Sequence, residues 1–175
     1  MQLVTYPDSL LLSPSKPVDL ASLDVSFINK LLEKAKNMDA FGLAAVQVGN
    51  PIRLFVAKFD DKKDYEVVIN PHVIRRGEET NKQNEGCFSF PGLMVPVDRP
   101  TRVHVVYQLF ESATQDTREV ERAFAGIQAR IMQHELEHLE GKTFLDHMGD
   151  VRKDMYKRKY GKVKRRLDKI GRSKM

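Results

Sequence analysis

The sequence predicts an α+β fold, with mixed or antiparallel strands packed around a helix carrying His134-Glu135-Leu136-Glu137-His138 and a basic helix at the carboxyl end. Three observations lead there. Several runs between residues 52 and 124 are rich in β-branched and aromatic residues, the composition of strands. Two stretches, one after Asp24 and one after Gly126, turn to helical spacing. Beyond residue 151 the chain is strongly basic and carries one narrow apolar stripe.

A chain of 175 residues is long enough for one domain with a real core and no disulfide or structural metal. We expect a catalytic body over 1–150 and a basic tail helix over 151–175. The amino terminus has no basic region ahead of an apolar run, so no signal peptide is expected, and no apolar stretch is long enough to span a bilayer. Cys87 is the only cysteine, which excludes an intrachain disulfide and fits a reducing cytoplasm. The net charge of +5 is unevenly spread. From Arg152 onward there are 12 Lys/Arg against 2 Asp/Glu, and before it 17 against 22, so the body is mildly acidic and the tail accounts for the high pI.

In chain order, Pro7 to Pro17 holds three prolines and several Ser and Asp residues and reads as irregular surface chain. Ile28, Leu31, Leu32 and Ala35 predict a helix that Ser22 or Asp24 could cap, ending near Asn37-Met38-Asp39. Gly42 to Gly49 is small and apolar with Gln47 in its middle; it suits either a tight turn into a core strand or a close backbone approach to a ligand. Ile52–Phe59 and Tyr65–Asn70 predict a hairpin across the charged run Asp60 to Asp64. A further strand is expected around His72 to Arg76, then a polar stretch from Gly77 to Asn84. Arg102–Phe110 and, more weakly, Thr117–Phe124 read as strands, and the helix from Gly126 should be capped by Gly141. In the tail, Tyr156, Tyr160, Val163, Leu167 and Ile170 form the stripe, interrupted by Gly161.

His134 and His138 lie at i and i+4, so one helical face presents both imidazoles to a single metal ion. Cys87, flanked by Gly86 and Phe88, offers a thiolate. Cys-His-His leaves one tetrahedral position open, as in a catalytic site, and the donor set alone suggests zinc. Glu135 is placed to take a proton from a metal-bound water, and Gln47 is a neutral donor of the kind that steadies an oxyanion. A solvated helix carrying two histidines by chance is the plain alternative, which Cys87 and Gln47 argue against.

Three segments carry a resemblance: Ala40-Phe41-Gly42-Leu43-Ala44-Ala45-Val46-Gln47, Glu85-Gly86-Cys87-Phe88-Ser89, and Gln133-His134-Glu135-Leu136-Glu137-His138. In this order they closely resemble the motifs of the peptide deformylases, and the likeness runs from Pro7-Asp8 to about Asp146. Ala40, Phe88 and Glu137 depart from the usual glycine, leucine and aspartate without removing a ligand, the base or the glutamine. The resemblance implies removal of the formyl group from N-formylmethionyl peptides. Glu135 is then general base and acid, and Gln47 and the Phe88 N–H stabilise the oxyanion. It implies ferrous iron on Cys87, His134 and His138, with nickel, cobalt or zinc able to substitute. It also implies an apolar methionine pocket, for which Phe41, Gly42, Ile127 and Ile131 are the candidates. Arg130 shares that helical face where an apolar residue is usual; it would either narrow the rim or meet a substrate carbonyl.

Bacterial members dock on the ribosome through a basic carboxyl-terminal helix, so the tail implies contact with ribosomal RNA; a solubilising helix docked on the body is the simpler reading. Cytoplasm of a bacterium or of a phage host, or an organellar matrix, is the expected setting. A zincin-like peptidase would need a downstream third ligand, and His147 lacks the glycine turn expected before it. A basic nucleic-acid-binding protein would leave Cys87, Gln47 and the histidines without a task.

Overall fold

The computed structural model describes residues 1–60 and 64–172, the side chains of 159 and 163–172 excepted. Asp24 opens the first helix, α1 (Val25–Asn37), by accepting the Phe27 N–H at 3.0 Å. Helical spacing turns Ile28, Leu31 and Ala35 inward, while Leu32 is only half-buried. The irregular amino-terminal segment includes two short 3-10 turns, Ser9–Leu12 and Leu20–Ser22, and buries Leu11 completely.

Among the described residues seven strands follow: β1 (Gly42–Ala44), β2 (Leu54–Ala57), β3 (Glu66–Arg76), β4 (Thr80–Gly86), β5 (Met94–Pro100), β6 (Arg102–Glu111) and β7 (Asp116–Ala125). Five form an antiparallel sheet in the order β1-β2-β3-β6-β7, and β4 and β5 make a separate antiparallel ribbon. The predicted hairpin is the β2–β3 pair, with Leu54 opposite Ile69. Two expectations are corrected. First, the strand at 72–76 is not separate: β3 runs through Pro71, absorbing it at a register shift with Asn70 at φ 51. Second, the polar stretch from Gly77 to Asn84 is largely β4, and its partner β5 was not predicted at all. β4 exposes every residue but Glu85, so it shows no apolar alternation, and β5 carries two prolines. What makes both into strands is their pairing, Thr80 to Pro100 through Gly86 to Met94.

The helix with the histidine pair, α2 (Gly126–Leu139), packs on one face of the large sheet and α1 on the other. β2 shows how. All four of its residues are buried, and the period of two sends Leu54 and Val56 to the α1 side and Phe55 and Ala57 to the α2 side. Each such side chain contributes about 1.5–3 kcal/mol of burial. Gly141, with φ 70, ends α2 as expected, and a Cβ there would lie 2.7 Å from the Ser13 carbonyl carbon.

After a 3-10 turn at Phe144–His147, the last helix, α3, runs Asp150–Arg172. Its first turns rest on an aromatic cluster in which Tyr160 and Tyr156 meet Tyr6, and Tyr6 stacks on Phe90 at 5.2 Å. Of the predicted stripe, the side chains of Val163, Leu167 and Ile170 lie outside those described. Among the described residues, no helix is long and apolar enough to cross a membrane.

Candidate metal centre and catalytic site

His134 and His138 project from consecutive turns of α2 with ring centroids 5.1 Å apart. Cys87 comes from the turn that ends the β4–β5 ribbon, where Phe90 N–H closes on the Cys87 carbonyl at 2.9 Å. The sulfur and one ring nitrogen of each histidine all lie within 4.8 Å of one another, and Cys87 Sγ is 3.2 Å from His138 Nε2. One soft thiolate and two imidazoles at that spacing fit a transition-metal or zinc ion with an open position. Burial by itself raises the Cys87 thiol, but His138 and His134 outweigh it and bring the pKa down to about 5.

Glu135 is buried beside the histidines. Its carboxylate passes over Gly42, where a Cβ would lie 2.7 Å from Glu135 Cδ, so the Gly42 position leaves the room that Glu135 occupies. Glu135 Oε2 is buried with no protein partner among the described residues. Burial pushes its carboxyl above the usual range, against the pull of His134 and His138. A buried acid with one oxygen unengaged beside the candidate ligands suits proton transfer.

Gln47 is buried within the 3-10 turn Ala45–Val48, not exposed in a surface turn. Its orientation is fixed chemically. Oε1 accepts the Ala44 N–H at 2.8 Å, so the amide nitrogen must face the other way, toward Cys87 Sγ at 3.3 Å and Ser89 Oγ at 3.2 Å. Phe88 has an exposed ring, and its N–H has no protein acceptor among the described residues.

Glu85, which has no evident task in the sequence, is the hub behind His134. Its Oε2 accepts from His134 Nδ1 at 2.9 Å; because a carboxylate only accepts, that nitrogen carries the proton and Nε2 is left free as a ligand. Arg99 Nε and Nη2 reach the same carboxylate at 2.6 and 2.9 Å, and Arg130 Nη1 at 2.5 Å. On its other edge Arg99 donates to Glu137 at 2.7 and 2.9 Å, and His147 Nε2 meets Glu137 at 2.8 Å. Glu137 thus anchors Arg99, and His147 is tied to Glu137, ten residues before it in the chain. Despite burial, the guanidinium and imidazole partners hold Glu85 well below the usual carboxylate range, and bring Glu137 down to about 2. Glu85 precedes Cys87 by two residues, and Glu137 follows His134 by three; those spacings were the available signals. Arg99 had none.

A cavity of about 290 Å³ opens onto these groups, lined by Phe41, Gly42, Gln47, Phe88, Ile127 and Ile131. Its volume suits a single side chain plus the reacting bond. Ile127 is exposed to the cavity and is no part of the core, whereas Ile131 belongs to both. Met94 also lines it and was not anticipated. Arg130 lines the cavity as a buried side chain, held by Glu85 and by the carbonyls of Val97 and Asn81.

Known proteins resemble this chain in sequence and in fold. The sequence model of the polypeptide deformylase family matches residues 1–154. The chain is 35% identical over 164 residues to the peptide deformylase of Bartonella henselae, covering 91% of this chain and 90% of that protein. It superposes on the Ehrlichia chaffeensis peptide deformylase, solved in complex with actinonin, with a TM-score of 0.84 and 30% identity over 94% of this chain and 98% of that one. The Legionella pneumophila peptide deformylase gives 0.82 and 30%, over 95% and 96%.

Proposed function

The chain belongs to the polypeptide deformylase family, and we propose that it hydrolyses the formyl group from the amino-terminal formylmethionine of nascent peptides, releasing formate. The observation that carries this reading is the set of donor atoms of Cys87, His134 and His138, all within 4.8 Å, beside a buried carboxylate oxygen of Glu135 that has no protein partner among the described residues.

Cys87, His134 and His138 would hold one divalent ion, which we assign as ferrous iron, with nickel, cobalt or zinc able to take the same ligands. A metal held there would supply Lewis acidity and make water easier to deprotonate at neutral pH. Glu85, gripping Nδ1 of His134, keeps that ring turned toward the site. Glu135 takes the proton of the attacking water. As the formyl carbon becomes tetrahedral, its oxygen gains negative charge, and it accepts hydrogen bonds donated by the Gln47 amide N–H and the Phe88 N–H. Glu135 then delivers its proton to the departing amine nitrogen, and the formyl C–N bond breaks. Phe41, Ile127 and Ile131 hold the methionine side chain beside Gly42.

The basic tail supports a second assignment, contact with ribosomal RNA from a position in the cytoplasm, where formylated chains emerge. Beyond residue 162 the tail still carries six Lys/Arg against one Asp. Removing residues 163–175 leaves Tyr156 and Tyr160 in place on Tyr6, so salt-sensitive sedimentation with ribosomes should be lost and small-peptide hydrolysis kept.

The deciding assay is formate release from a formyl-Met peptide by anaerobically purified protein, set against cleavage of the unblocked peptide. Absence of formate, or cleavage of the unblocked peptide instead, overturns the assignment.

A further inference from the structure

The methionine cavity has a second chemistry that the proposed reaction does not use. Beside Phe41, Met94 and Ile127, it is lined by Gln83, Asn84, Glu85 and Arg130. Arg130 is only 7% exposed and sits on the cavity wall one residue before Ile131. Its guanidinium is fixed from behind. Nη1 donates to Glu85 at 2.5 Å and to the Val97 carbonyl at 3.1 Å, and Nη2 donates to the Asn81 carbonyl at 2.5 Å.

Those bonds use three of its five N–H groups. Nε and the second Nη2 hydrogen have no protein acceptor among the described residues, and Nε is not among the buried polar atoms lacking a partner. Nε therefore keeps some accessibility, on a side chain that lines both this cavity and a smaller one beside Asn81, Gln83 and Ile127, in a plane that three contacts on β4, β5 and Glu85 keep from swinging away. A thioether is a weak acceptor and leaves such donors unpaired when it displaces their water. A sulfoxide oxygen on the same sulfur is a strong acceptor and adds only one atom to the side chain. Gln83 lines the same cavity and brings an amide N–H₂ that can serve the same oxygen.

We propose that this site deformylates peptides beginning with N-formylmethionine sulfoxide as well as N-formylmethionine, with Arg130 donating to the sulfoxide oxygen and so setting specificity at the first side chain. The inference rests on the deformylase reading above. The bond broken is still the formyl C–N bond; the sulfoxide passes through unreduced, and no oxidant or reductant takes part.

The test compares kcat/KM for two formyl tripeptides that differ only in the sulfoxide oxygen, using metal-loaded full-length enzyme and its Arg130→Met variant. In the unaltered enzyme the formyl-Met peptide should be favoured by less than about tenfold. In Arg130→Met the sulfoxide-to-methionine ratio should fall by at least about tenfold, the loss of one charge-assisted hydrogen bond. Arg130 also braces Glu85, so the variant can slow both peptides; the ratio cancels that common effect. A preference for formyl-Met beyond tenfold in the unaltered enzyme, or a ratio changed less than tenfold by the substitution, overturns the proposal. Should Arg130→Met not fold, the preference of the unaltered enzyme decides alone. Formate from neither peptide would instead sink the deformylase reading.

Discussion

Glu85→Gln keeps the shape of the side chain at the hub of the buried ion network and removes its charge. Three cationic or N–H partners then lose their anion: Arg99, Arg130 and His134 Nδ1. The Glu85 and Arg99 side chains are 6% and 3% exposed, so solvent cannot replace what is lost. Breaking a buried pair in this way costs about 3–5 kcal/mol, because the orphaned guanidinium stays desolvated. If His134 is a metal ligand as proposed, weakening the bond that orients its imidazole costs a further ~10–100-fold in metal affinity. The matched control is Glu137→Gln, which loosens Arg99 from the other side, leaves the His134 contact intact and should cost about 1–3 kcal/mol. Urea unfolding at constant m and competition with a chelator measure the two effects separately. The sign with pH follows from Glu85 holding its proton less tightly in the folded than in the unfolded chain. The stability difference between wild type and Glu85→Gln is full above the unfolded carboxylate value of about 4.3 and shrinks as pH falls below it. A loss below about 1 kcal/mol at neutral pH, or metal affinity equal to that of Glu137→Gln, would show that the network does not support the centre.

Three further outcomes are expected. Glu135→Gln should retain one equivalent of metal by elemental analysis and lose about 10²–10⁴-fold in formate release, and near-normal turnover removes Glu135 from its role. Gly42→Ala forces a methyl against Glu135, 2.7 Å from Cδ. It should lower kcat at least about tenfold with a stability loss of about 1–3 kcal/mol, and unchanged kinetics would mean the Glu135 carboxylate is not held over this residue. Tyr160→Ala removes a side chain that is 6% exposed and packs on Tyr6, and should cost about 3 kcal/mol in chemical denaturation; a loss under 1 kcal/mol would mean the root of α3 is not docked.

Much of the candidate site was legible because its information is local. A histidine pair at i, i+4 shares a face on any α-helix, Asp24 caps whatever helix follows it, and β2 needs only its own period of two to divide its side chains between two cores. Glu85 was half legible: it stands in a recognisable segment two residues before Cys87, but nothing nearby says that it grips His134.

What the sequence by itself offered, then, was the candidate ligands, base and neutral donor: the histidine pair and Glu135 through residue type and short helical spacing, and Cys87 and Gln47 through the segments that carry the family resemblance. Tertiary structure alone decided the β4–β5 ribbon, whose polar residues become a strand only by pairing with Met94–Pro100. It decided which way Gln47 faces, through one bond to Ala44 N–H. It also gave Glu137 and Arg130 their tasks, since both are defined by partners 38 and 45 residues away. Ion pairs across such separations have no period and no local propensity; they exist only once the ribbon and α2 have been brought together.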